Sequence, residues 1–417
     1  MRRAAAYGSL VLLSWSRLVA LSLVLLGGGC GPEPGVPGDT SIDPETDSET
    51  GEDSDSIWPE GPIKLVPWQE LVFLRAHEGR TMLMTVARDG SGLGPIYDGG
   101  GAPLVSGDGR HILWSGVGEL LLLSEGSSSP TALERLERPV WAPKGAVLAA
   151  VNINSLEVID IDQGTSVTLV LHVSTLSEPV WSPSGKKLAY EDGGALWVAE
   201  VDTGVVESVI SPVSNTSLAW SPDESTLAMG MDGRVVLVDL ESGSTAPVIE
   251  LTVFDGAGPP YVRWSPDGQW IGWKDRHGLT SGGFVRPGGT DSQWLWDWLE
   301  GPPAWSPSTR WLSFLGSTHG HDCFGGDCAD LRIYSPDFEE SRYLQRPRQM
   351  AWAPDEEFLV VSSDRFEDDE KTGERIELPW RVGVFDVELD TLKTVGDLAE
   401  DDPRADSHAV WRRMSGE

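Results

Sequence analysis

Cysteine is scarce in this chain: three residues in 417, at positions 30, 323 and 328. So few cysteines cannot staple a fold together, and any core must rest on packing. Histidine is nearly as thin, with seven residues, and no His-Glu-x-x-His stretch occurs; His77-Glu78 lacks a second histidine four residues after the first. Gly-x-Ser-x-Gly is missing too, so neither a zinc-peptidase helix nor a nucleophile elbow is written into the sequence. Positive charge is the third deficit. Lys and Arg total 31 against 65 Asp and Glu, a formal net charge of −34 at pH 7. That sign disfavours nucleic acid and anionic lipid as partners, keeps the chain soluble, and attracts cations or a basic partner. Beyond the first thirty residues no run approaches the ~18 apolar residues needed to span a bilayer.

Tryptophan, by contrast, is plentiful and regularly placed. The tripeptide Trp-Ser/Ala-Pro stands at Trp141, Trp181, Trp220, Trp264, Trp305 and Trp352, at intervals of 40, 39, 44, 41 and 47 residues. A period in this range marks a repeat architecture with one supersecondary unit per repeat. The clearest copy is YVRWSPDGQWIGW, residues 261–273. A short apolar strand ends in Trp264; Pro266 pre-sets φ at the first turn corner, Asp267 suits the second, and Gly268 can take φ > 0 before a second strand begins. Pro307-Ser308-Thr309-Arg310 lacks the glycine, so its turn is expected to differ in detail. Two further apolar stretches follow each hairpin, for example RVVLVDL (234–240) and APVIEL (246–251), with turn residues between them. Four short strands per roughly 40 residues make the blade of a β-propeller.

Weaker copies extend the series. Val105-Ser106-Gly107-Asp108-Gly109 keeps the turn without the tryptophan, and residues 70–99 read as three strands that lack an inner partner near Trp68. At the far end HAVWRR (408–413) is a lone strand ending in Trp411. The expected fold class is therefore all-β: a closed propeller of four-stranded blades, eight by this count and seven if one degenerate unit fails. The C-terminal strand should close the first blade as its innermost strand, leaving no open edge at the seam.

These units resemble the WD40-like (PD40) repeats of the TolB propeller family, marked by a Trp-Ser-Pro-Asp-Gly stretch, over about residues 68–411. The resemblance implies the fold and a structural, core role for Trp141, Trp181, Trp220, Trp264, Trp305, Trp352 and Trp411. It includes periplasmic assembly proteins and the propeller halves of peptidases.

The N-terminus resembles a bacterial lipoprotein signal. Arg2, Arg3 and Arg17 precede the apolar LVALSLVLL (18–26), and Gly27-Gly28-Gly29 leads to Cys30. Cleavage before Cys30 and lipid on its sulfur are expected, with an ordinary signal peptide or an uncleaved anchor as the other readings. Residues 31–60 hold ten Asp and Glu and no Lys or Arg; such a segment cannot bury enough surface to fold and acts as a tether. The expected layout is a signal peptide over 1–29, a lipidated, acidic linker over 30–60 and a propeller over 61–417. An exported protein favours a disulfide between Cys323 and Cys328.

Four surfaces are candidates for binding. Trp294, Trp296 and Trp298 alternate, so on an outer strand of the sixth blade they share one face; they form either an aromatic platform for a partner or sugar, or packing between blades. His319, His321 and Asp322, beside Asp327 and Asp330, are weak metal ligands, competing with a disulfide-braced loop. The long charged insertion at 364–380 is recognition surface or decoration. The central channel is the fourth. Gly90-Ser91-Gly92 is a turn, not a phosphate loop, because no helix follows. The expected function is a non-catalytic, monomeric interaction scaffold without cofactor. It is held by lipid in the cell envelope, at the outer membrane, with an unidentified envelope protein as partner. A carbohydrate or small-ligand binder is the alternative, and a propeller-type lyase or cyclase the third reading.

Overall fold

The computed structural model describes residues 65–414, apart from residues 78, 117–118, 135, 172, 174–176, 214–215, 232, 252–257, 277–280, 297–298, 319–327, 338–339, 346, 355–357, 369–374 and 396–404. Every regular element among them is a strand, and the strands form eight four-stranded antiparallel sheets arranged as a ring. The chain is an eight-bladed β-propeller. Its blades begin, in chain order, at Leu71, Leu104, Leu136, Val180, Ser217, Tyr261, Leu299 and Pro347.

Seven blades run from channel to rim in sequence order. In blade 5 these strands are Ser217–Trp220, Thr226–Met231, Arg234–Asp239 and Thr245–Glu250. Blade 1 differs. Its order from the rim is Gly94–Asp98, Arg80–Val86, Leu71–His77 and then Ala405–Trp411. The last strand of the chain is thus the innermost strand of the first blade, pairing Leu71 with Trp411 and Arg75 with Asp406. A register shift between Val72 and Leu74 takes up a bulge.

The burial pattern follows from the ring. The second strand of blade 5 reads as four consecutive buried residues, Leu227 to Gly230, because blades cover both of its faces. The fourth strand of blade 8, Thr391–Thr394, is exposed throughout. The apolar core is accordingly divided into wedges. One cluster joins Leu156 and Val158 of blade 3 to Trp181, Leu188 and Tyr190 of blade 4. Another joins Ala228 and Val235 of blade 5 to Val262, Ile271 and Trp273 of blade 6.

In blades 2, 4, 5, 6 and 7 the hairpin turn between the first two strands is built the same way, on a serine that follows the anchor position. In blade 6 the Ser265 hydroxyl donates to Asp267 Oδ1 at 2.6 Å and accepts from the Trp270 amide at 2.9 Å. Gly268 donates to the Ser265 carbonyl from φ 72°. The turn at Thr309 is the same turn, contrary to the sequence expectation. Thr309 takes φ 66° and donates to the Ser306 carbonyl as Gly268 does to Ser265. Glu224 does likewise in blade 5, at φ 60°. A side chain in this region costs roughly 1 kcal/mol or more, and both residues recover contact energy from the blade before. Thr309 Oγ1 accepts from the Asp267 amide at 3.2 Å, and Glu224 Oε1 accepts from the Ser184 amide at 2.5 Å.

Candidate functional site

The repeat tryptophans end the innermost strands and line one mouth of the channel. Their indoles clasp neighbouring blades by a single rule. Trp141 donates to the Leu104 carbonyl (3.1 Å), Trp181 to Val140 (2.9 Å) and Trp220 to Val180 (2.9 Å). Trp305 donates to Arg263 (3.2 Å), Trp352 to Ala304 (3.2 Å) and Trp411 to Ala351 (2.8 Å). The acceptor is always the residue just before the corresponding anchor of the preceding blade. Trp264 breaks the series, its buried N–H having no acceptor. Blade 2 breaks it too, since Val105 has nothing to donate.

At the Val105 gap another device serves. Arg412, at 3% exposure, follows the closing strand and donates to the carbonyls of Gly109 and Trp68 and to Glu125 Oε1. Its guanidinium also lies 5.5 Å from the Trp68 ring centroid. Gly109 and Glu125 belong to blade 2, so Arg412 does for that interface what an indole does elsewhere.

Two of the anchor tryptophans, Trp181 and Trp220, are buried; Trp141, Trp264, Trp305, Trp352 and Trp411 stay partly exposed. Outside them stand the exposed turn prolines Pro143, Pro183, Pro222, Pro266, Pro307 and Pro354. Together they make a collar. Three adjoining hollows of about 480, 670 and 520 Å³ draw their walls from the anchor position of all eight blades. The largest runs along the channel wall of blades 3 to 6. It passes from Pro143 and Pro183 at the collar to Ser177, Thr216, Tyr261 and Arg276 at the other end, with Glu178 and Arg263 between.

A second cluster lies between blades 2 and 3. Asp108, His111 and Asp162 bring ligand-type atoms within 4.8 Å of one another. His111 Nδ1 lies 2.9 Å from Ser124 Oγ and Nε2 3.3 Å from Asp162 Oδ1. The cationic place is already taken: Arg110 bonds both Asp108 and Asp162. Burial raises the Asp108 pKa, but hydrogen bonds from Ser106 and Arg110 outweigh it and hold the carboxyl below its ordinary value. The His111 ring stacks on Trp141 at 6.4 Å, so the cluster reads as a brace between blades.

The aromatic trio is placed in part. Trp294 sits on the outermost strand of blade 6, opposite Gly283, and packs inward with its ring centroid 4.6 Å from that of Trp273. Trp296 continues that strand, and Trp298 lies outside the described residues, as do Cys30, His319, His321, Asp322 and Cys323. Cys328 opens the strand Cys328–Tyr334 of blade 7. The insertion at 364–380 prolongs two paired strands of blade 8, with Arg365 opposite Leu378 and Asp368 opposite Arg375.

Sequence reasoning passed over Glu178, Arg263 and Arg276. For Arg263 the signal was present. The residue before the anchor is Leu104, Val140, Val180, Ala219, Ala304, Ala351 or Val410 in the other blades, and arginine only in blade 6.

No protein-family model and no curated protein matches the chain. Solved structures of similar fold include a eukaryotic initiation factor, at 10% identity and TM-score 0.50 over 82% of this chain and 98% of that one. The dihydro-heme d1 dehydrogenase NirN is similar at 14% identity and TM-score 0.55, over 81% of this chain and 78% of that one. A putative TolB from Agrobacterium tumefaciens aligns at 16% identity and TM-score 0.36, over 62% of this chain and 97% of that one. At these identities the likeness to the initiation factor and to NirN is one of fold alone.

Proposed function

We propose that this protein is a non-catalytic interaction scaffold of the cell envelope, tethered through lipid on Cys30 and presenting the collar face of its propeller to a protein partner. The observation that supports it most is the collar itself: exposed prolines and partly exposed indoles, repeated in the ring and enclosing contiguous hollows. Aromatic and proline surface on a rigid frame suits an anchor residue from a partner, since little side-chain entropy is lost on contact. The turn prolines are free to change without unlatching the blades, which makes them the right probes.

The test is affinity capture from cross-linked, detergent-solubilised membranes. Wild type is run beside Pro183→Glu/Pro222→Glu/Pro266→Glu, and beside Leu389→Glu/Leu392→Glu on the outer rim, where Leu389 and Leu392 are 71% and 45% exposed. A single envelope protein held by wild type and the rim variant, and lost from the proline variant, supports the reading. Equal capture by all three, or none, sinks it. Growth of cells with Cys30→Ser, followed by fractionation, tests the tether: release from the membrane fraction is expected.

A second reading, a small-ligand binder, is favoured by the 670 Å³ hollow in the channel wall.

A further inference from the structure

Arginine in this protein is mostly neutralised. Arg75, Arg88, Arg110, Arg286, Arg310 and Arg412 each meet a carboxylate, as expected with twice as many acids as bases. Arg263 and Arg276 do not. Neither has a carboxylate at ion-pairing distance among the described residues, and both line the same hollow of the channel. Tyr261 and Arg263 are two apart on one strand and so share a face. The Arg276 guanidinium lies 4.6 Å from the Tyr261 ring centroid, which directs it to the same wall. Arg263 gives one N–H to the Val262 carbonyl at 3.0 Å and keeps its other donors.

Arg276 is exposed to solvent, and the surroundings bear chiefly on Arg263. Solvent reaches Arg263 through the channel, yet the ring encloses it. Burial lowers its pKa, with Glu178 and Tyr261 acting in the opposite sense. A guanidinium stays protonated at neutral pH regardless. Both guanidinium groups are solvent-accessible in the hollow and neither is held in an ion pair there, so an anion that enters can reach them. Trp141, Trp181, Trp220 and Trp264 line the rest of the hollow and supply flat apolar surface.

We propose that the channel wall of blades 4 to 6 binds a small ligand carrying two oxyanion groups, carboxylate or phosphate, one on Arg263 and one on Arg276. Glu178 limits the charge the site accepts and so selects against more highly charged anions. The proposal rests on the small-ligand reading of the channel, and it is independent of the collar scaffold.

The probes are citrate and pyrophosphate, with maltose as an uncharged control. The readouts are quenching of tryptophan fluorescence and the rise in unfolding temperature, both at low salt. Saturable quenching is expected with at least one of the two anions, and which one answers separates carboxylate from phosphate. Arg263→Gln and Arg276→Gln should each raise Kd about ten-fold or more, and Glu178→Gln should lower it about three-fold. Added salt should weaken binding. Thermal unfolding of each variant without ligand controls for folding. Anion binding that neither arginine substitution weakens overturns the proposal. A response to maltose alone overturns it while leaving the small-ligand reading of the channel standing, and no response to any probe overturns both.

Discussion

Blade 5 and blade 1 hold the same four-stranded sheet, yet they are closed differently. In blade 5 every strand is joined to the next by a short turn, and the ion pair across its outer strands, Arg234 with Glu250, is more than half exposed on both sides. In blade 1 the innermost strand arrives from the other end of the chain. There the pair is Arg75 with Asp406, bonded at 2.7 and 2.9 Å with side-chain exposures of 3% and 0%. Covalent connection brings neighbouring strands together at little entropic cost, so blade 5 can leave its charges in water. The seam lacks that connection, and register must be written into side chains. A buried ion pair is weak evidence for net stability, but a strong penalty attaches to any register that separates its members.

Breaking the seam should have the largest effect. Asp406→Ala leaves Arg75 buried without its carboxylate and is expected to cost about 3–5 kcal/mol. Glu250→Ala in blade 5 should cost under about 1 kcal/mol. Urea unfolding of both variants decides it, and equal losses would remove the distinction drawn here. Next comes the close approach at Gly109. A Cβ there would stand 2.0 Å from the Arg413 carbonyl, and the residue has φ 74°. Gly204 in blade 4 has nearly the same φ, 71°, with open space around it. Gly109→Ala should therefore lose about 3 kcal/mol, against about 1 kcal/mol for Gly204→Ala, measured as denaturant midpoints.

The latches allow a finer comparison. Trp220→Phe removes the bond to the Val180 carbonyl across a blade interface, whereas Trp264→Phe removes an N–H with no acceptor. The first should be worse than the second by about 1 kcal/mol, read from paired thermal melts. The smallest effect is acid sensitivity of the turns. Hydrogen bonds from the Ser221 hydroxyl, and from the amide and hydroxyl of Ser225, hold Asp223 below the ordinary aspartate value of 3.8. A lowered carboxyl pKa adds stability that is fully present above pH 3.8 and disappears as pH falls through the folded value. Asp223→Asn should flatten the stability profile below pH 4 and leave it unchanged near neutrality; a slope as steep as wild type would refute the assignment.

Much of this architecture was legible because each repeat carries its own turn chemistry. The Trp-Ser-Pro spacing gave the blades, and the stray strand at Trp411 gave the closure. The turn at Thr309 was misread because a positive φ was tied to glycine. Here a threonine tolerates it by bonding across to Asp267, a contact no local rule reveals. The channel site was less visible for the same reason. Tyr261, Arg263, Arg276 and Glu178 come from two blades, and only their strand ends bring them together. Arg263 alone carried a sign, as the one charged residue in a column of small apolar ones. For Trp294 the alternation left platform and packing both open, because periodicity gives a shared face and not what covers it.

The indole clasps all point backwards along the chain. Each of blades 3, 4, 5, 7 and 8, as it leaves the ribosome or the export channel, brings the donor that fastens it to the blade made just before. The arc can thus lengthen in the order of synthesis. Only the final step depends on a distant encounter, Asp406 finding Arg75 across 331 residues. Until then Leu71–His77 is an apolar strand with one edge unpaired, and such edges recruit other chains. A product stalled or clipped before residue 405 would keep most of its clasps and still be sticky. Release from that state therefore falls on the closing strand, Ala405–Trp411.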